Sequence, residues 1–109
     1  MPRAVLLALS DAVDESNAAE FNRWWSDIHL PEIVELPGFV SGRRFKLSSA
    51  QVKPDDRVGA GQRFLAVIEL DCDDLEGAMK TLAESVSGFQ PTDTLQRDPP
   101  PIGVLFEEI

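Results

Sequence analysis

The chain has 109 residues, with nineteen acidic against ten basic side chains for a formal charge of −9, one cysteine and no tyrosine. That length makes one domain, residues 1–109, which buries enough surface without disulfides or metals, and a lone cysteine excludes an internal disulfide. The acidic balance repels phosphate backbones, which argues against nucleic acid and anionic membrane surfaces as partners.

Arg3 to Ser10 is short, β-compatible and almost wholly apolar, the pattern of a strand buried on both faces. Its apolar run, Ala4 to Leu9, is too short for a signal peptide or a membrane span, so a cytoplasmic location is expected. Asp11 to Asn17 is turn and cap chemistry, with Asp14 or Ser16 placed to accept from the first N–H groups of a helix. In that helix Ala18, Phe21, Trp25 and Ile28 make one apolar stripe. Trp24 borders the stripe, Arg23, Ser26 and Asp27 point toward water, and His29, four residues after Trp25, falls on its edge. Pro31 lacks an N–H and clashes with the carbonyl four residues back, so His29 is expected in the last regular turn, near the negative end of the helix dipole, where imidazolium is favoured. Pro31 to Leu36 reads as a second short helix, ended by Pro37-Gly38.

Gly38 to Leu47 alternates, with Arg43, Phe45 and Leu47 on one face and Arg44 and Lys46 on the other. Ser48 to Gly61 is a polar connection, and Gln62 to Leu70 a second mostly apolar strand with Phe64, Ala66, Ile68 and Leu70 on one face. Asp73 is placed as a helix cap, with Glu76 at the capping-box spacing. Leu75, Ala78, Met79, Leu82, Ala83 and Val86 then follow an amphipathic helical pattern that Gly88 closes. Phe89 to Pro101 is a Pro-rich loop, and Ile102 to Ile109 a last strand.

The order strand, helix, strand, strand, helix, strand predicts an α+β fold of the ferredoxin-like βαββαβ plan. Its four-stranded antiparallel sheet has both helices on one face, in the order 4-1-3-2. The second face of that sheet is apolar too, and the expected remedy is a second copy packed sheet to sheet about a two-fold axis.

Trp24-Trp25, Asp27, His29 and Pro31, followed by Pro37-Gly38-Phe39 and a strand with Arg43 or Arg44-Phe45, resemble the dimeric α+β barrel superfamily and, within it, the EthD-like group. The resemblance implies a homodimeric barrel with a pocket in each subunit between helices and sheet, lined by His29. It also implies an activity among those of cofactor-free polyketide cyclases, muconolactone isomerases, quinone-forming monooxygenases, heme-degrading enzymes and proteins without known activity. A mechanism that needs a tyrosine cannot apply here.

His29 is the natural general acid or base, the competing reading being a helix-end histidine bonded to a carbonyl. Asp27 lies across the helix from it and reads as a solvent or capping group, whereas Glu32 reaches it only if the helix continues. One of Arg43 and Arg44 can face the pocket and hold an oxyanion, or both can snorkel at a sheet edge. Phe21, Trp24, Trp25 and Phe64 are candidates for an apolar wall around an aromatic guest, with packing in the core as the alternative. Cys72 reads as small and inert, and one histidine with one cysteine does not make a metal site. The expectation is a small cofactor-independent enzyme of cyclase, isomerase or lyase type, acting on an aromatic, polyketide-like or lactone substrate. The alternatives are a non-catalytic binding or accessory dimer for a hydrophobic metabolite and a cofactor-free or heme-linked monooxygenase.

Overall fold

The computed structural model describes residues 3–109. Four strands, β1 (Arg3–Ser10), β2 (Phe39–Lys46), β3 (Phe64–Asp71) and β4 (Ile102–Glu107), form one antiparallel sheet in the order β2-β3-β1-β4. With its helices this is an α+β architecture compatible with the ferredoxin-like plan, and the strand order is the one expected from right-handed crossovers.

Register assigns the faces. Gly103, Ala8, Ala66 and Arg44 lie in one row across the sheet, Leu105, Leu6, Ile68 and Gly42 in the next, and Glu107, Ala4, Leu70 and Phe39 in a third. Ala4, Leu6, Phe39, Ala66, Ile68 and Leu70 of these rows are buried, and they form the core together with Phe21, Trp24, Trp25 and Ile33 of the helices. The other face carries the rows Ile102, Leu9, Leu65, Phe45 and Val104, Leu7, Val67, Arg43. On it Phe45, Val104 and Phe106 are exposed. β1 is therefore buried on one face and half-covered on the other, and the two-sided burial expected for it is not met within one chain.

The first crossover departs from expectation. Asp14 caps a short 3₁₀ turn, its side chain accepting from the Asn17 N–H at 3.0 Å. Helix α1 (Ala18–Trp24) then continues into a π turn, Trp25–His29, and on into α2 (Leu30–Val34), so the helix is not ended at His29. The Leu30 N–H bonds to the Trp25 carbonyl, five residues back. A widened turn just before Pro31 eases the conflict between the proline ring and the preceding carbonyls, and lets the helix pass through instead of stopping.

Two close approaches hold α2 in place. A Cβ on Gly42 would lie 2.5 Å from Leu30 Cδ1, so glycine is what lets α2 rest on β2. Gly38 turns the chain from α2 into β2 with φ +89°, against Cys72. In the second crossover α3 (Leu75–Ser85) is capped by Asp74, whose carboxylate accepts from the Gly77 N–H at 2.9 Å. The cap is thus one residue later than the expected Asp73, and the Asp73–Glu76 capping box does not form. Among the described residues no helix is long and apolar enough to cross a membrane.

Candidate functional site

A cavity of about 520 Å³ lies between the helical rod, the end of β1 and the chain after α3. Ala8, Leu9 and Ser10 come from β1, Trp24, Trp25 and His29 from the helix, and Val86, Ser87, the 89–92 stretch, Leu95, Arg97 and Pro101 supply the remaining wall. The volume falls within the usual range for small-molecule sites. The polar 48–61 connection contributes nothing to its lining.

His29 sits in a box of three rings. Trp24 stacks on its face with centroids 4.4 Å apart and planes 14° from parallel. Trp25 and Phe89 present edges to it, at 4.6 and 5.7 Å. The stack with Trp24 is a product of the π turn. Residues five apart on an α-helix point about 140° away from each other, whereas the wider turn aligns positions i and i+5. Sequence spacing paired His29 with Trp25 alone, and Pro31 was the sequence signal of the widening.

The electrostatics also differ from expectation. His29 is inside a continuous helix, with α2 following it, so no helix C-terminus favours its charged form. Burial instead pushes its pKa below the ordinary 6.5, partly offset by Glu32. Nδ1 of His29 and Oε1 of Glu32 are 3.9 Å apart, and both are buried without a hydrogen-bond partner. The other oxygen of Glu32 accepts from the Gln90 N–H at 3.0 Å, while the Gln90 carbonyl accepts from Trp24 Nε1 at 3.0 Å. One loop residue, Gln90, thus fixes the carboxylate through its N–H and the stacking indole through its carbonyl. The α2 continuation that Pro31 was expected to prevent is what brings Glu32 within reach.

Trp24, Trp25 and His29 are therefore brought together, and the other predicted site residues lie elsewhere. Phe21 is completely buried in the core and packs against Phe64 with centroids 5.6 Å apart. Neither phenylalanine lines the His29 cavity; Phe64, paired with Lys46 of β2, lies beside Arg44 and Asn22 instead. Arg44 faces the helices from β2, and its Nη1 donates to Asn22 Oδ1 at 2.9 Å and to Ser26 Oγ at 3.3 Å. Its guanidinium carbon lies 5.4 Å from the Trp25 ring centre, and burial lowers its pKa. Arg44 thus braces Trp25 and does not line the cavity. Arg43 is exposed on the opposite face of the sheet, beside Phe45.

Cys72 is half-buried and free, against Gly38. Among the described residues no cluster of three or more His, Cys, Asp or Glu is placed to hold a metal ion. Phe89, Gln90 and Arg97 are among the cavity residues that sequence reasoning missed, since a loop has no periodicity from which to place them. No protein-family model, no curated protein and no solved structure matches this chain.

Proposed function

We propose that the protein is a small cofactor-independent enzyme of cyclase, isomerase or lyase type, related to the EthD-like group, acting on an aromatic, polyketide-like or lactone substrate. The observation that carries this reading is His29, a buried imidazole with an unpartnered nitrogen, held among aromatic rings on the wall of a cavity large enough for a ring system. Desolvation keeps it neutral near pH 7, the form of a general base. Glu32 is the positioning group. When His29 takes a proton from substrate, a small approach across the 3.9 Å gap turns two unsatisfied atoms into a charged pair. The walls formed by Trp24, Trp25 and Phe89 exclude water and orient a flat substrate.

Screening aromatic lactones and polyketides for turnover, wild type beside His29→Ala, tests the role. The variant should lose on the order of 100-fold or more in kcat/KM. The wild-type rate should fall on the acid side at a pH below 6.5, following the depressed pKa of the base. Full turnover by His29→Ala on an identified substrate ends this assignment.

The assembly belongs to the same proposal. The sheet face away from the helices carries rows of apolar side chains, with Phe106 54% and Val104 45% exposed. A contiguous apolar surface of that kind favours a second copy, sheet to sheet, as in a dimeric α+β barrel. Light scattering across a range of concentrations should return twice the 12.0 kDa chain mass, and a concentration-independent monomer would rule the barrel out.

The predominantly apolar walls also favour a second reading, a non-catalytic dimer that holds a hydrophobic metabolite. A ligand recovered unmodified after long incubation, with an affinity indifferent to His29→Ala, decides for it.

A further inference from the structure

We infer that the His29 cavity selects ligands carrying an anionic group, a carboxylate or an ionised phenol or enol attached to an aromatic ring, and that Arg97 is the residue that makes the selection. The inference rests on the reading of this cavity as the binding site. Its starting point is charge. The chain carries nineteen acidic residues, yet among the described residues none of them lines this cavity, and Arg97 is the only permanently charged one that does. The remaining ionisable group in the lining, His29, is kept neutral by burial. A ligand entering the cavity thus meets one cation and no competing carboxylate on the lining.

Arg97 is also free to act. Among the described residues its guanidinium makes one hydrogen bond, Nη2 to the Thr92 carbonyl at 3.3 Å, and no ion pair. Arg23 and Arg63, by contrast, are held by carboxylates, and Arg44 by Asn22 and Ser26. A guanidinium has five N–H donors in a planar fork that matches a carboxylate, so most of its capacity remains for a ligand.

The segment that carries Arg97 is fastened to the fold just before it. The Val13 N–H donates to the Thr94 carbonyl at 2.7 Å and the Gln96 N–H to the Asp11 carbonyl at 2.9 Å, with Ala12 and Leu95 bridged between them. Beyond it, Gln62 Nε2 donates to the Pro100 carbonyl at 3.2 Å. Backbone anchors on both sides set Arg97 at the cavity while leaving its side chain uncommitted. The aromatic part of the ligand follows from the rings of Trp24, Trp25 and Phe89 on the same wall.

The test compares indole-3-acetate with its neutral isostere indole-3-acetamide, titrated into the full chain and followed by NMR. The protein has two indole N–H signals, from Trp24 and Trp25, and both side chains line the cavity. Wild type should bind the carboxylate about tenfold more tightly than the amide, the gain expected of a charge-assisted hydrogen bond at a partly screened site. In Arg97→Gln the two probes should bind alike, and Arg97→Lys should recover part of the preference. Equal binding of both probes by wild type, or a preference that survives Arg97→Gln, overturns the role of Arg97 and leaves the cavity reading standing. If neither probe moves the indole signals, the cavity reading fails and this inference with it.

Discussion

Replacing His29 by phenylalanine should stabilise the protein. The imidazole side chain is only 16% exposed and its Nδ1 has no partner, and a buried polar atom left unsatisfied costs about 1–3 kcal/mol. Phenylalanine keeps a ring against Trp24 and removes that cost. Its slightly larger ring adds strain of its own, which the adjacent cavity relieves, so the net gain should be about 1 kcal/mol. For a domain of this size that raises the melting midpoint by about 5 °C. The gain must also grow as pH falls. Because the folded pKa of His29 is depressed, both folded and unfolded imidazoles are neutral above 6.5, and below that value the unfolded chain takes up the proton first. Wild type therefore loses stability as pH falls from 6.5 through the folded pKa, and the phenylalanine variant lacks that loss. Thermal unfolding followed by circular dichroism at pH 7.5, 6.5 and 5.5, at matched protein concentration because assembly shifts the midpoint, measures both effects. A variant that melts well below wild type at pH 7.5, or a gap that closes in acid, would show that the imidazole anchors the fold and would refute the reasoning.

Gly42→Ala places a Cβ 2.5 Å from Leu30 Cδ1, so α2 must shift, and the expected cost is about 1–3 kcal/mol by urea unfolding; an unchanged midpoint would mean that α2 is not seated on β2 as described. Asp11 is 14% exposed and its carboxyl is held below the ordinary 3.8: burial pushes it up, but the Arg63 fork and the Ala12 N–H outweigh burial. Asp11→Asn should cost about 1 kcal/mol at pH 7, discounted because Arg63 is partly exposed. The difference should narrow as pH falls below 3.8 through the depressed pKa, and one that is the same at pH 7 and pH 3 would count against the ion pair.

Periodicity made most of the fold legible, because each helix and strand faces a core on one side. The stripe through Phe21 and Trp25 and the inward set Ala66, Ile68 and Leu70 are buried as their spacing requires. The errors have local physical causes. Asp73 and Asp74 are equally good caps, and only the backbone decides that Asp74 turns its carboxylate onto the Gly77 N–H. Pro31 was read as a stop, although a helix can also absorb a proline by widening the turn before it. The site was less legible than the fold. His29 and the two tryptophans were identifiable as rare residues crowded near a proline, but Phe89, Gln90 and Arg97 reach the cavity from a loop, whose path depends on anchors to Asp11, Val13 and Gln62 that no local pattern encodes.

The π turn connects these two failures. An uninterrupted α-helix through residue 29 would set His29 one turn above Trp25 and away from Trp24, leaving the Trp24 indole without an imidazole to cover. With the extra residue in the turn, Trp24 stacks on His29; the helix that continues past Pro31 brings Glu32 to face Nδ1, and Gln90 bonds Trp24 through its carbonyl and Glu32 through its N–H. A core built for stability alone gains nothing from a nitrogen and a carboxylate oxygen that face each other unsatisfied at 3.9 Å. Protonation of the imidazole changes that balance, since the pair then becomes charge-complementary and both atoms can be satisfied by one contact. Burial thus holds the resting imidazole neutral while the Glu32 carboxylate favours its protonated form, the opposed biases that the proposed general base requires if it is to accept a proton and then release it.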